Sequence, residues 1–202
     1  LKLAVLLSGS GRTLQNIADA IAEGKLDAEI TTVISSLPEV YGLTRAQKLG
    51  LPTHIIRRKD FADLQAFADA NWQLIRESGA DYVCLAGYMV LLPVPKDFVN
   101  RVINIHPALL PSFGGKGMYG HHVHEAVIEH GAKVSGCTVH FCDDTYDTGP
   151  ILVQRVCPVL ADDDADILAD RVFEQETIAY IEALEALCQG RVSVAGRRAL
   201  VR

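Results

Sequence analysis

Positive charge is scarce in this chain. Its 202 residues carry 19 Lys and Arg against 25 Asp and Glu, a formal charge of −6, and the pI is near 5.6. That balance excludes the broadly basic surface on which nucleic-acid binding depends. The single basic run, Arg57-Arg58-Lys59, reads as a solvated loop. Long apolar runs are missing too, so no stretch reads as a bilayer span or as a signal peptide. None of the five cysteines stands at C-x-x-C spacing, and Cys84, Cys137, Cys142 and Cys157 lie in or beside apolar strand-like runs. Buried free thiols fit a reducing, cytoplasmic setting. Linkers, repeats and low-complexity segments are also lacking, which leaves a single domain over 1–202 as the expectation.

What is present is an alternation. Leu3 to Leu7 is a continuous apolar run, as a strand buried on both faces requires. Ser8-Gly9-Ser10-Gly11-Arg12-Thr13 follows, and then Leu14, Ile17, Ala18 and Ile21 recur at helical spacing. Further strands are expected at Ile30 to Ile34, Pro52 to Ile56, Tyr82 to Ala86 and Val102 to Ile105. Helices are expected over Tyr41 to Leu49, closed by Gly50, and from a cap at Asp60 to about Ser78. Strands alternating with helices predict an α/β fold, a Rossmann-like, mostly parallel twisted sheet with helices on both faces. The runs Lys133 to Phe141 and Ile151 to Val156 suggest an antiparallel addition near the C-terminal edge. A helix from the Asp162–Asp164 and Asp166 cluster to about Leu187 follows, its acids favoured by the helix dipole.

Chemistry concentrates where strands should end. Gly9 and Gly11 let the backbone approach a ligand, and the following helix start offers N–H groups to a phosphate. A dinucleotide would want a third glycine where Leu14 stands and an acid where the next strand ends in Ser35-Ser36, so a single phosphate ester fits better. Asn104 and His106 are two residues apart on a strand and point to one side, an amide donor beside a ring that titrates near neutrality. Pro107 then stops the strand. Asp147, in the turn-rich loop Cys142 to Pro150, is the acid that could hold His106 cationic and raise its pKa. Gly114, Gly115 and Gly117 mark a mobile flap after the strand. His121, His122 and His124 lack zinc-peptidase spacing, so no metal is expected.

Four stretches together resemble the phosphoribosylglycinamide formyltransferase family: Ser8-Gly9-Ser10-Gly11, Leu85-Ala86-Gly87-Tyr88-Met89, Asn104 to Phe113, and Asp147-Thr148-Gly149-Pro150. Looser versions of the Asn-x-His and Asp-x-Gly elements occur in formyltetrahydrofolate hydrolase and other folate-dependent N-formyltransferases. Pro107-Ala108-Leu109-Leu110-Pro111-Ser112-Phe113, and the missing regulatory and tRNA-binding extensions, favour the glycinamide branch. The resemblance implies formyl transfer from 10-formyltetrahydrofolate, as co-substrate, to the amine of 5-phosphoribosylglycinamide in purine biosynthesis. It implies Gly11, Arg12 and Thr13 on the substrate phosphate and Glu176 on its ribose. Met89, Val90, Leu91, Leu92, Asn104, Asp143, Asp144, Thr145 and Tyr146 would line the folate slot, with Asn104, His106 and Asp147 catalytic. It implies small-molecule partners, neither nucleic acid nor membrane, and a monomer or homodimer. The chain departs from the family at Leu64 and Val90, where Arg is usual near the folate, and at Thr177, where His usually follows the Glu. Formyl transfer to water, and a phosphate-sensing module without turnover, are the competing readings.

Overall fold

The structure is a computed structural model describing all residues from Leu1 to Arg202. The chain divides into two compact units, Leu1–Asn104 and Ile105–Arg202. The first unit holds strands β1 (Lys2–Leu7), β2 (Glu29–Ser35), β3 (Thr53–Ile55) and β4 (Tyr82–Leu85), with β5 (Val102–His106) running across the boundary. They lie in the order β3-β2-β1-β4-β5, all pairs parallel. Leu3 to Leu7 are all fully buried, which is why this strand reads as a run rather than an alternation. Helices α1 (Arg12–Ala22) and α2 (Tyr41–Lys48) pack on each other, and α2 packs on β2 and β3.

Helix α3 (Leu64–Glu77) starts later than expected. Its cap is Asp63, whose carboxylate accepts from the Ala66 N–H at 2.8 Å. Asp60 instead ends a short 3-10 turn and pairs with Arg57 at 2.6 Å. Two aspartates three residues apart offered the same capping chemistry, and the 3-10 turn consumed the first. Leu64 is therefore the first helical residue.

The second unit carries helix α4 (His121–Glu129), strands β6 (Val134–Phe141) and β7 (Ile151–Pro158), helix α5 (Ala165–Cys188), and strands β8 (Val192–Ala195) and β9 (Arg198–Val201). Strands β6 and β7 pair antiparallel as expected, but β7 is not an edge. The order is β6-β7-β9-β8, because the tail folds into a hairpin that adds β9 parallel to β7. Helix α5 packs on β6 and β7, with α4 beside it. The parallel first unit and the antiparallel addition in the second bear out the α/β expectation.

The acid cluster before α5 does more than meet the helix dipole. Asp164 caps the helix through the Ile167 N–H, while Asp163 forks onto Arg171 at 2.5 and 2.8 Å and accepts from Leu160 N–H. Those bonds hold the Asp163 carboxyl down at about 2. No helix is long and apolar enough to cross a membrane. All five cysteines are free.

Gly136 in β6 lets the neighbouring backbone in: a Cβ there would collide with the Arg155 carbonyl of β7. Changing Gly136 to Ala is expected to cost about 3 kcal/mol, at the upper end of overpacking effects, read as a lowered urea midpoint with an unchanged slope.

Candidate active site

The first unit sets an uncapped helix start at the end of β1. Gly11 is the N-cap of α1 and takes a left-handed conformation, φ 71°, open to glycine at little cost. No side chain caps this helix, so its first N–H groups keep the positive end that favours an anion. The turn is also pressed against α2. A Cβ on Gly11 would meet the Cα of Gly42 at 2.5 Å, and the Gly42 N–H donates to the Gly9 carbonyl at 3.1 Å. Arg45 then reaches back to donate to the Ser10 carbonyl at 3.1 Å. Gly42 and Arg45 escape a reading of the sequence, since 30 or so residues separate them from the turn; the Gly at the start of a helix is the one hint. Arg12 is exposed and Thr13 half-buried on the first turn of α1.

The loop after β4 is tied to the same turn. Ser8 donates its N–H to the Gly87 carbonyl at 3.0 Å, and its hydroxyl accepts from Met89 N–H at 2.9 Å while sharing a 2.6 Å bond with Ser36. Ser35-Ser36, which argued against a dinucleotide, thus has a structural use. Within this loop Leu92 is buried, Val90 and Leu91 are half-buried, and Met89 is 54% exposed. An apolar side chain left that open is available to a flat apolar ligand. Asn104 ends the pairing of β5 with β4, opposite Leu85.

The second unit brings together the groups that carry protons. His106 is buried, with Nε2 2.8 Å from the Phe113 carbonyl and Nδ1 3.5 Å from Asp147 Oδ2. A carbonyl only accepts, so Nε2 carries the hydrogen. Asp147 Oδ2 also accepts from Gly115 N–H at 2.9 Å, and its Oδ1 lies 3.6 Å from Nε2 of His140. The Phe113-Gly114-Gly115 segment is therefore fastened to the site at two points, where the sequence alone predicts a free flap. Phe113 and Asp147 both hold positive φ, 53° and 58°. Such a backbone costs about 1 kcal/mol or more per non-glycine residue and persists only where surroundings impose it.

The electrostatics correct one expectation. Burial lowers the His106 ring, and the Asp147 charge and the Phe113 carbonyl oppose it without winning; His140 adds to the lowering. The ring therefore sits below its usual value rather than above it. Burial pushes the Asp147 carboxyl up, but the His140 contact, His106 and the Gly115 N–H outweigh it, so the acid stays below the usual range and ionised.

The remaining residues singled out from the sequence divide. In the Asp143 to Tyr146 stretch, all four are exposed. Asp143 turns the loop by accepting from Thr145 N–H and the Thr148 hydroxyl. Glu176 is half-buried on α5 and close enough to add to the burial that lifts the Cys137 thiol to about 12. Thr177 bonds back to the Phe173 carbonyl at 2.8 Å, so nothing histidine-like stands there. His121 and His122 pair with Glu125 on the surface of α4 and His121 also with Asp166, while His124 turns inward. No three His, Cys, Asp or Glu side chains are grouped as metal ligands. Gly115, which the sequence marks only as part of a flap, is a donor to Asp147, and His140 escapes a reading of the sequence. Nothing in Val139-His140-Phe141 separates a buried strand histidine from a functional one until the Asp147 loop is seen folding onto it.

The formyl transferase family model matches residues 1–184. A chloroplastic phosphoribosylglycinamide formyltransferase of Vigna unguiculata is 44% identical over 194 residues, 95% of this chain and 62% of the relative. A chloroplastic protein of the same name from Arabidopsis thaliana is 38% identical, over 95% of this chain and 66% of its own length. The chain thus spans just under two thirds of these curated plant relatives. A solved glycinamide ribonucleotide transformylase 1 from Symbiobacterium toebii superposes with a TM-score of 0.94 at 38% identity, covering 100% of this chain and 93% of that one.

Changing Asp147 to Asn removes the one group that pulls the His106 ring upward by charge. The ring is expected to titrate at still lower pH in that variant, followed by NMR of labelled histidine. An unmoved His106 midpoint would break the pairing.

Proposed function

The chain belongs to the formyl transferase family, and from that footing we propose that it moves a formyl group from 10-formyltetrahydrofolate to the amine of 5-phosphoribosylglycinamide in de novo purine biosynthesis. The observation that carries the proposal is the buried His106–Asp147 pair at 3.5 Å, two residues beyond Asn104 on one strand. Identity to phosphoribosylglycinamide formyltransferases over nearly the whole chain supports the substrate pair. The family match across residues 1–184 draws on both compact units, which supports one functional domain over 1–202.

The chemistry follows from the groups. The neutral amine nitrogen attacks the formyl carbon, the carbonyl oxygen takes the charge, and the bond from that carbon to the folate nitrogen then breaks. The amine gives up a proton and the leaving nitrogen gains one. In this reading Asn104 donates its amide N–H to the forming oxyanion. His106 donates Nε2–H once the Phe113 carbonyl withdraws from it. One such donor is worth about 2.7–4 kcal/mol in the transition state. A neutral ring with Nε2–H already set can act as donor to that oxygen, and in this reading it takes the proton the attacking amine gives up, as an imidazolium that Asp147 favours, and passes it to the leaving folate nitrogen. A nitrogen nucleophile needs no covalent enzyme intermediate, so the buried cysteines are spectators.

Binding roles are proposed on the same basis. Gly11, Arg12 and Thr13 would take the phosphate ester at the uncapped start of α1. Glu176 would accept from the ribose hydroxyls. Met89, Val90, Leu91 and Leu92, with Asn104 and the Asp143, Asp144, Thr145 and Tyr146 loop, would bind the folate as co-substrate. With Leu64 at the start of α3 and Val90 half-buried, this chain offers no arginine at either position for the folate's glutamate tail. We infer small-molecule partners and a cytoplasmic setting, as a monomer or homodimer.

A two-substrate assay tests the proposal. Folate release from 10-formyltetrahydrofolate is expected to require phosphoribosylglycinamide; release that ignores the amine would make the chain a hydrolase instead. His106→Ala is expected to lose at least about 100-fold in kcat, the loss of one oxyanion donor, and undiminished turnover in that variant would remove His106 from the reaction.

A further inference from the structure

Three strand ends meet at one side chain. Strands β2, β1 and β4 are neighbours in that order and all parallel, so the residues that follow them leave the sheet side by side. Backbone bonds run on past the strands. Ser36 N–H donates to the Leu7 carbonyl at 3.1 Å, Ala86 N–H to the Leu6 carbonyl at 2.8 Å and Ser8 N–H to the Gly87 carbonyl at 3.0 Å. Gly87 then takes a left-handed conformation, φ 72°, and the chain turns off the ladder. From there a side chain continues what the backbone has stopped doing. The Ser8 hydroxyl accepts from Met89 N–H at 2.9 Å and shares a 2.6 Å bond with the Ser36 hydroxyl. Ser8 and Ser36 are both buried, so little water competes for these partners.

Ser8 opens the Ser8-Gly9-Ser10-Gly11 turn, and its place there invites a role on the substrate's phosphate. Its bonds point elsewhere. A hydroxyl offers one hydrogen and two lone pairs. Met89 N–H takes one lone pair, and Ser36 takes the hydrogen or the other.

We propose that Ser8 is a positioning residue for the formyl donor: its hydroxyl fixes Met89, and with it the wall of the folate slot, and it takes no part in holding the phosphate. The proposal rests on the reading of Met89 to Leu92 as that wall. On either side of Met89 the loop is anchored to α3. The Tyr88 hydroxyl donates to Asn71 at 3.4 Å, and the Pro93 carbonyl accepts from Trp72 Nε1 at 2.8 Å. Ser8 anchors it from the sheet, at the residue whose side chain is left open. A wall set in advance has less to order when a flat ligand arrives, so its benefit falls on binding. Alanine at this position would leave Met89 N–H and the Ser36 hydroxyl without this partner, whereas threonine keeps a hydroxyl.

The full chain is assayed as wild type, Ser8→Ala and Ser8→Thr, with each substrate varied in turn. Ser8→Ala is expected to raise KM for 10-formyltetrahydrofolate about tenfold, the upper range for one lost hydrogen bond. KM for phosphoribosylglycinamide and kcat should stay within about twofold, as for a loss of binding at one ligand alone. Ser8→Thr should bring the folate KM back toward wild type. By NMR of the nitrogen-labelled chain, the Met89 amide should shift and exchange faster with solvent in Ser8→Ala. An unchanged folate KM in that variant, or a rise confined to phosphoribosylglycinamide, would overturn the proposal. A lowered melting temperature with both KM values unmoved would reduce Ser8 to a packing residue. Should Ser8→Ala not fold, the wild type decides: a Met89 amide protected from exchange supports the anchor, and one exchanging like an open loop overturns it. A wild type that transfers no formyl group overturns the reaction and the folate role of Ser8 together; one that does, beside a variant with an unmoved folate KM, overturns the role of Ser8 alone.

Discussion

One carboxylate governs the second unit's chemistry. Asp147 is almost buried, yet it stays ionised because it is contacted on every side that matters: Gly115 N–H and His106 at one oxygen, His140 at the other. A buried charge without such partners would neutralise or reorganise the loop around it. The left-handed backbone at Asp147 and at Phe113 is the local expense of that arrangement. Gly114 and Gly149 are the local permissions. A Cβ on Gly114 would strike Leu110, and one on Gly149 would strike the Phe141 carbonyl.

Seen from this acid, the loop after β5 is a component of the site. Its two contacts with the cluster run in opposite senses. Phe113 accepts from His106, and Gly115 donates to Asp147. A ligand oxygen that takes the His106 proton donor must displace the first contact and can leave the second intact.

Much of this was legible before any coordinates. Leu3 to Leu7, the Gly9–Gly11 turn, and the Asn104, His106, Pro107 sequence declared a buried parallel strand, a glycine turn opening a helix, and a strand end carrying His106 through local pattern alone. What local pattern could not supply was competition and distance. Asp60 has the chemistry of a cap, but a 3-10 turn ends on it and the helix starts from Asp63 instead. The closing hairpin escapes a reading of the sequence, because strands of four residues have too little periodicity to announce themselves. Burial reversed the expected shift of His106, since a sequence shows the carboxylate partner but not how much water the ring has lost. His140, Gly42 and Arg45 act through contacts with residues far along the chain, for which spacing gives no warning.

The closing hairpin has its own consequence. It lies beyond residue 184, where the family match ends, yet Arg197 donates to the Thr148 carbonyl at 2.9 Å, directly beside Asp147. Residues lacking any recognisable motif thus brace the backbone on which the shared acid rides. Divergence in such a tail offers a lineage a dial on reactivity that leaves every signature residue untouched.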